Sequence, residues 1–86
     1  MSTGPRRPLD AVGLRRVVVE HCGFDPGEFA LRARLDALGL DGFSRLSLVA
    51  ALEAAHGIEF PADLITALET VDDLIHYTNI KVGQLP

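Results

Sequence analysis

The side chains of this chain that could do chemistry are three histidines, one cysteine and two neighbouring serines. The histidines and the cysteine are His21, Cys22, His56 and His76. Because they form neither a Cys-x-x-Cys pair nor an HxxxH pair, the sequence does not predict a metal site. Ser44, Ser47 and His56 supply the residue types of a hydrolytic triad, but no Gly-x-Ser-x-Gly turn presents a nucleophile. We therefore do not expect an autonomous enzyme.

Length and charge narrow the function further. With 86 residues the chain makes one small domain, and its net charge is −4. Residues 1–40 carry six arginines against five carboxylates, whereas residues 41–86 carry two basic residues against seven acidic ones. The sequence has no basic stripe with interleaved aromatic residues, so nucleic-acid binding is not expected. The absence of an apolar run near the roughly 20 residues of a membrane span, and a lone cysteine, favour a cytoplasmic protein.

Apolar periodicity predicts helices on both sides of a long loop. The first helix is expected to begin near Leu9 or Asp10 and to end at Gly23, with Asp10 as its cap. Its predicted inward face is made by Leu14, Val17, Val18 and Cys22. In the loop that follows, the spacing of Phe29, Leu31, Leu35 and Leu38 predicts a turn or two of helix near residues 30–37, lying over the core.

Three more helices are predicted after this loop. The second is expected to run from Gly42 or Phe43 to His56, with a side-chain cap from Asp41 or Ser44. Its predicted inward stripe consists of Leu48, Leu52 and Ala55, with Val49, Ala51 and His56 beside it. A short helix is expected within residues 63–68. The last should begin after Thr70, whose pairing with Asp73 approximates a capping box.

Four short motifs follow one another along these elements. They are Leu38-Gly39-Leu40-Asp41, the helical set Leu48, Val49, Leu52 and Glu53, the turn Gly57-Ile58-Glu59-Phe60-Pro61, and Thr70-Val71-Asp72-Asp73-Leu74. In this order and at these separations they resemble the acyl and peptidyl carrier proteins. The resemblance implies an all-α bundle of three main helices plus one short helix, with a long loop between the first and second helices. It would span residues 9–82, between a flexible tail at 1–8 and a C-terminal tail at 83–86.

The resemblance fails at the residue that carries the family's chemistry. In carrier proteins a serine follows the Asp of the first motif and bears a phosphopantetheine arm, but here that position is Gly42. Glycine has no hydroxyl, so the family's cofactor is expected to be absent. Ser44 is an alternative attachment residue, yet two residues turn a helical side chain by about 200°, to nearly the opposite face. Whether Gly42 is natural or introduced stays open.

The start of the second helix also carries the expected docking surface. Phe43, Leu46 and Ala50 recur at helical spacing beside the inward stripe. If that stripe is buried, part of this set should be exposed or half-exposed, which is typical of a protein contact. The resemblance places Asp41 and Ser47 at the same edge, where the family usually has an acidic residue in place of Ser47. We expect a monomer that docks on condensing, loading or tailoring enzymes, and a phosphopantetheinyl transferase is a further candidate partner.

Three hypotheses follow from these residues. The first is a carrier-like protein of a fatty-acid, polyketide or non-ribosomal peptide pathway whose attachment position is vacant. The second is a degenerate carrier that acts as a non-carrier adaptor or regulator of a biosynthetic enzyme. The third is a carrier armed at Ser44.

Overall fold

Four α-helices and one 3₁₀ turn make up the part of the chain that the structure, a computed structural model, describes: residues 8–27 and 30–85. The elements are α1 (Ala11–Cys22), the 3₁₀ turn (Asp36–Leu38), α2 (Gly42–His56), α3 (Ala62–Ala67) and α4 (Val71–Gly83). The predicted all-α class is confirmed, as is its division into three long helices and a short one. The predicted tail over residues 1–7 and the predicted packing of Phe29 lie outside the described residues. No helix of the described part has the length and apolar character needed to cross a membrane.

Helix α1 begins and ends where the sequence predicts. The Asp10 carboxylate accepts a hydrogen bond from the Gly13 amide at 2.7 Å, and Gly23 closes the helix in the left-handed conformation, with φ +78°. Leu14 and Val18 are buried. Capping side chains and a C-terminal glycine are local signals, and this is why α1 could be predicted from spacing alone.

The buried face of α2 is rotated slightly from the predicted one. Leu48, Val49 and Leu52 are buried, but Ala55 is exposed, so its predicted place in the inward stripe is wrong. The face is centred on the line through Arg45, Val49, Leu52 and His56, and Ala55 falls at its edge in the last turn. The rotation leaves the opposite side of the first two turns facing water.

The prediction of a turn or two of helix near residues 30–37 is only partly right. This segment forms only the 3₁₀ turn Asp36–Leu38, because its backbone pairs with the start of α4. Leu35 N–H donates to the Glu69 carbonyl and Val71 N–H donates to the Ala33 carbonyl, both at 2.9 Å. Leu35 is buried as a result, whereas Leu31 is 49% exposed and does not lie over the core.

A single apolar core joins the helices and the loop. Its buried members are Leu9, Leu14, Val18, Leu35, Leu40, Leu48, Val49, Leu52, Ile58, Phe60, Leu68, Val71, Leu74 and Ile75. Leu40 is fully buried directly before α2, and it therefore fixes the point at which the chain enters that helix.

Helix α4 starts at the predicted capping box. The Asp73 amide donates to the Thr70 hydroxyl, and the Thr70 amide donates back to the Asp73 carboxylate, each at 3.1 Å. The same carboxylate accepts from the Glu69 amide at 3.2 Å. These backbone donors, the Thr70 amide first among them, hold the pKa of Asp73 below its ordinary value.

We expect Asp73→Ala to lower the free energy of unfolding by about 1 kcal/mol at neutral pH. The bonded form is the carboxylate, so its contribution is complete above the ordinary aspartate pKa of about 3.9. It is lost as the pH falls through the lower folded-state pKa. Urea denaturation of the variant and the wild type at neutral and acidic pH measures the difference.

Asp72→Ala is the matched control, because Asp72 is exposed in the same helical turn but its side chain makes none of the hydrogen bonds found among the described residues. An equal loss in both variants would assign the effect to the helix dipole rather than to the capping box.

Candidate functional site

Gly42 is the first residue of α2 and has an open surrounding. Its φ is +50°, in the left-handed region that L side chains rarely adopt. Beyond the chain neighbours and the nearby backbone of α2, an added Cβ atom would meet no heavy atom of the described residues within 4 Å. The position therefore offers space for a side chain but carries no reactive atom, and its backbone has a conformation that suits glycine.

The predicted side-chain cap of α2 is wrong. Asp41 is the N-cap residue, with an extended backbone, but no side chain of residues 8–27 and 30–85 caps the first-turn amides. The Asp41 side chain is exposed, and Ser44 lies within the first turn rather than before it. The start of α2 is thus not held by a side-chain cap.

Ser44 faces a different side of the first turn from Gly42. Its side chain is half-buried, and its carbonyl oxygen accepts a hydrogen bond from the Cys22 thiol, with an Sγ–O distance of 3.5 Å. Burial raises the pKa of the Cys22 thiol. Ser44 therefore packs against the end of α1, whereas Gly42 is exposed.

Phe43, Leu46 and Ala50 form a continuous exposed surface, which we call the apolar strip. The Phe43 side chain is 84% exposed and Leu46 is 55% exposed, and Ala50 is also exposed. Ser47, next to the strip, is half-buried. The predicted exposure of the apolar strip is confirmed. The role of Phe43, Leu46 and Ala50 in docking stays a prediction.

Arg45 holds the start of α2, a role that the sequence analysis missed. Its guanidinium donates to the Leu40 carbonyl at 3.0 Å and to the carbonyls of Ile65 and Leu68 at 3.3 and 3.0 Å. One side chain thus joins the loop before α2 to the end of α3. One feature of the sequence could have indicated this role. Arg45 and Lys81 are the only Lys or Arg residues after residue 40, so Arg45 stands out in an acidic half of the chain.

Helix α2 has few charged side chains, and these side chains form hydrogen bonds within the domain. Its Asp, Glu, Lys and Arg residues are Arg45 and Glu53 alone. The Glu53 carboxylate accepts from the Phe60 amide at 2.8 Å, across the turn that follows the helix. Within the described residues no group of three or more His, Cys, Asp or Glu side chains is placed to hold a metal ion.

Comparison with known proteins agrees with this architecture. Residues 12–78 match the family model described as the phosphopantetheine attachment site. The acyl carrier protein of Zymomonas mobilis subsp. mobilis is 37% identical over 65 residues, which cover 74% of this chain and 83% of that protein. The acyl carrier protein of Phenylobacterium zucineum is 32% identical over 71 residues, covering 81% of this chain and 90% of that protein.

Two further similar proteins are named as a synthase or as a component of a polyketide synthase. Orsellinic acid synthase of Beauveria bassiana is 34% identical over 58 residues, which cover 67% of this chain but only 3% of the synthase. The solution structure of 3-oxo-butyl-ACP, from the actinorhodin polyketide synthase of Streptomyces coelicolor, superposes with a TM-score of 0.78 and 24% identity. The superposition covers 93% of this chain and 98% of the Streptomyces coelicolor chain, and it shows that the two proteins share a fold.

The helical bundle is therefore the fold of an acyl carrier protein. The chain belongs to the phosphopantetheine-attachment-site family, as the four motifs predicted.

Proposed function

We propose that this protein is an acyl-carrier-protein-like member of the family that docks on biosynthetic enzymes through the start of α2 while its attachment position, Gly42, is vacant. Family membership supports a place in fatty-acid or polyketide synthesis. The observation that carries the proposal is the residue at the start of α2. Gly42 directly follows the motif Leu38-Gly39-Leu40-Asp41 and is exposed, but it has no side-chain oxygen.

Phosphopantetheine does not fit Gly42 as a covalent group. The arm supplies the family with a thiol that holds an acyl or aminoacyl chain, and its attachment needs a side-chain hydroxyl. Gly42 has none, and the neighbouring hydroxyl of Ser44 belongs to a half-buried side chain on nearly the opposite side of the turn. Without the arm, the proposed role of this chain is to bind other proteins without catalysing a reaction.

The adaptor hypothesis has one observation of its own in its favour. The left-handed φ of Gly42 is a glycine conformation, in which a serine would be strained. The backbone at position 42 therefore suits a glycine better than the serine that an arm would need. A protein that binds or regulates an enzyme without carrying cargo has no need of that serine.

Intact-mass spectrometry after incubation with coenzyme A and a broad-specificity phosphopantetheinyl transferase tests the proposal. We expect no mass gain for the wild-type chain, because no exposed hydroxyl stands at the start of α2. A serine-bearing acyl carrier protein in the same reaction is the positive control. A gain of one arm that fragmentation assigns to Ser44, and that Ser44→Ala abolishes, would replace this proposal by a carrier armed at a displaced position.

A further inference from the structure

The apolar strip is the most solvent-exposed apolar feature of α2. Phe43, at 84%, is the most exposed large apolar side chain among the described residues. Leu46 follows one turn later, and Ala50 extends the same side of the helix. Aromatic and large aliphatic side chains that enter a partner's pocket contribute most of the affinity at protein interfaces. The strip therefore has the composition of a binding anchor.

The helix that carries the strip offers a partner no free charge of its own. The Arg45 guanidinium is directed inward to the carbonyls of Leu40, Ile65 and Leu68. The Glu53 carboxylate is bonded to the Phe60 amide. Asp41, the exposed N-cap residue, is the charge next to the strip along the chain, and a single exposed ion pair contributes only about 0–1 kcal/mol.

The size of the apolar strip indicates whether its binding partner is a second copy of this chain or a different protein. A standard interface buries about 800 Å² on each partner. Three side chains on the outside of one helix present much less than this area, so two strips facing each other would not hold a stable dimer. A concave partner surface can enclose Phe43 and Leu46 and contact the helix around them.

Resting on the proposed function, we infer that α2 docks into an apolar pocket of its partner enzyme whose rim lacks a basic patch. A rim of lysines and arginines would lose hydration on contact with α2. It would gain no more than one exposed ion pair in return, with Asp41. An apolar pocket gains affinity from burying the Phe43 ring and the Leu46 side chain. Such binding does not depend on ionic strength in the way that contacts between several charges do.

Arm transfer to the Gly42→Ser variant measures this docking. The probe is a broad-specificity phosphopantetheinyl transferase with coenzyme A, and the quantity is KM for the carrier at low and high salt. We expect KM to change by less than about threefold with salt, as screening acts on charges. Phe43→Ala and Leu46→Ala in the same background should each raise KM by about tenfold, with kcat nearly unchanged.

Two further variants make the test specific. Val19→Ala is the matched control, because Val19 is 45% exposed on α1, outside the strip, and its KM should equal that of Gly42→Ser. Ser47→Glu restores the acidic residue that the family usually has beside the strip. If the pocket has no basic rim, the new carboxylate finds no ion-pair partner, so we expect Ser47→Glu not to lower KM at low salt.

Several outcomes would overturn the inference alone. They are a KM that rises about tenfold with salt, a lower KM for Ser47→Glu at low salt, or Phe43→Ala and Leu46→Ala variants that match Val19→Ala. Each would leave the vacant-carrier proposal intact.

If Gly42→Ser accepts no arm, NMR titration of the ¹⁵N-labelled wild-type chain with the transferase gives the answer instead. Amide shifts centred on the strip and unaffected by salt would support the inference. No shifts would overturn it together with the proposed docking function.

Discussion

The Gly42→Ser variant should gain one phosphopantetheine arm under conditions in which the wild-type chain gains none. Beyond the chain neighbours and the nearby backbone of α2, a Cβ atom at position 42 meets no heavy atom within 4 Å. We therefore expect the new hydroxyl to reach solvent at the start of α2. The φ of +50° costs an L residue roughly 1–2 kcal/mol, unless the peptide before it rotates to a negative φ. Intact mass, with fragmentation to place the arm on residue 42, measures the result.

Gly42→Ala is the matched control for this prediction. Alanine imposes the same backbone restriction but has no hydroxyl, so it should lose similar stability and gain no arm. A Gly42→Ser protein that keeps the helical circular dichroism of the wild type but stays unmodified would contradict the prediction. It would show that the surface recognised by the transferase has been lost, which favours the adaptor hypothesis.

Arg45→Ala should cause a large loss of stability, about 2–4 kcal/mol in the free energy of unfolding. The Arg45 guanidinium is the donor to three carbonyl oxygens, those of Leu40, Ile65 and Leu68. Hydrogen bonds from a charged donor contribute about 1.5–3 kcal/mol, and the part-buried carbonyls left without this donor add some desolvation cost. For a domain of this size the melting temperature should fall by roughly 10–25 °C. Urea denaturation and thermal melts followed by circular dichroism check both values.

Two substitutions separate the hydrogen bonds of Arg45 from its charge. Arg45→Lys keeps the charge but lacks the planar fork that reaches several acceptors, so it should recover only part of the loss. Arg16→Ala removes an arginine that is exposed on α1, and it should change stability by less than about 0.5 kcal/mol. Equal stabilities for Arg45→Ala and Arg16→Ala would contradict the role given to Arg45.

Local signals in the sequence were enough for the helices and for the exposure of the apolar strip. Asp10 and Gly23 bound α1, and Thr70 with Asp73 begins α4. Each signal acts through hydrogen bonds within a few residues or through helical spacing, which the sequence states directly. The same is true of Gly42, since the absence of a hydroxyl follows from the residue type alone.

Tertiary structure decided the features whose partners lie far along the chain. The loop near residues 30–37 forms no more than a 3₁₀ turn because its backbone pairs with residues 69–72. Arg45 finds its α3 acceptors 20 and 23 residues away, and the Asn79 side chain bonds the Leu9 backbone across 70 residues. Spacing along one helix cannot specify such contacts, because they depend on how the helices pack against one another. For the same reason the charge-free outer side of α2 became visible only when the internal partners of Arg45 and Glu53 were known.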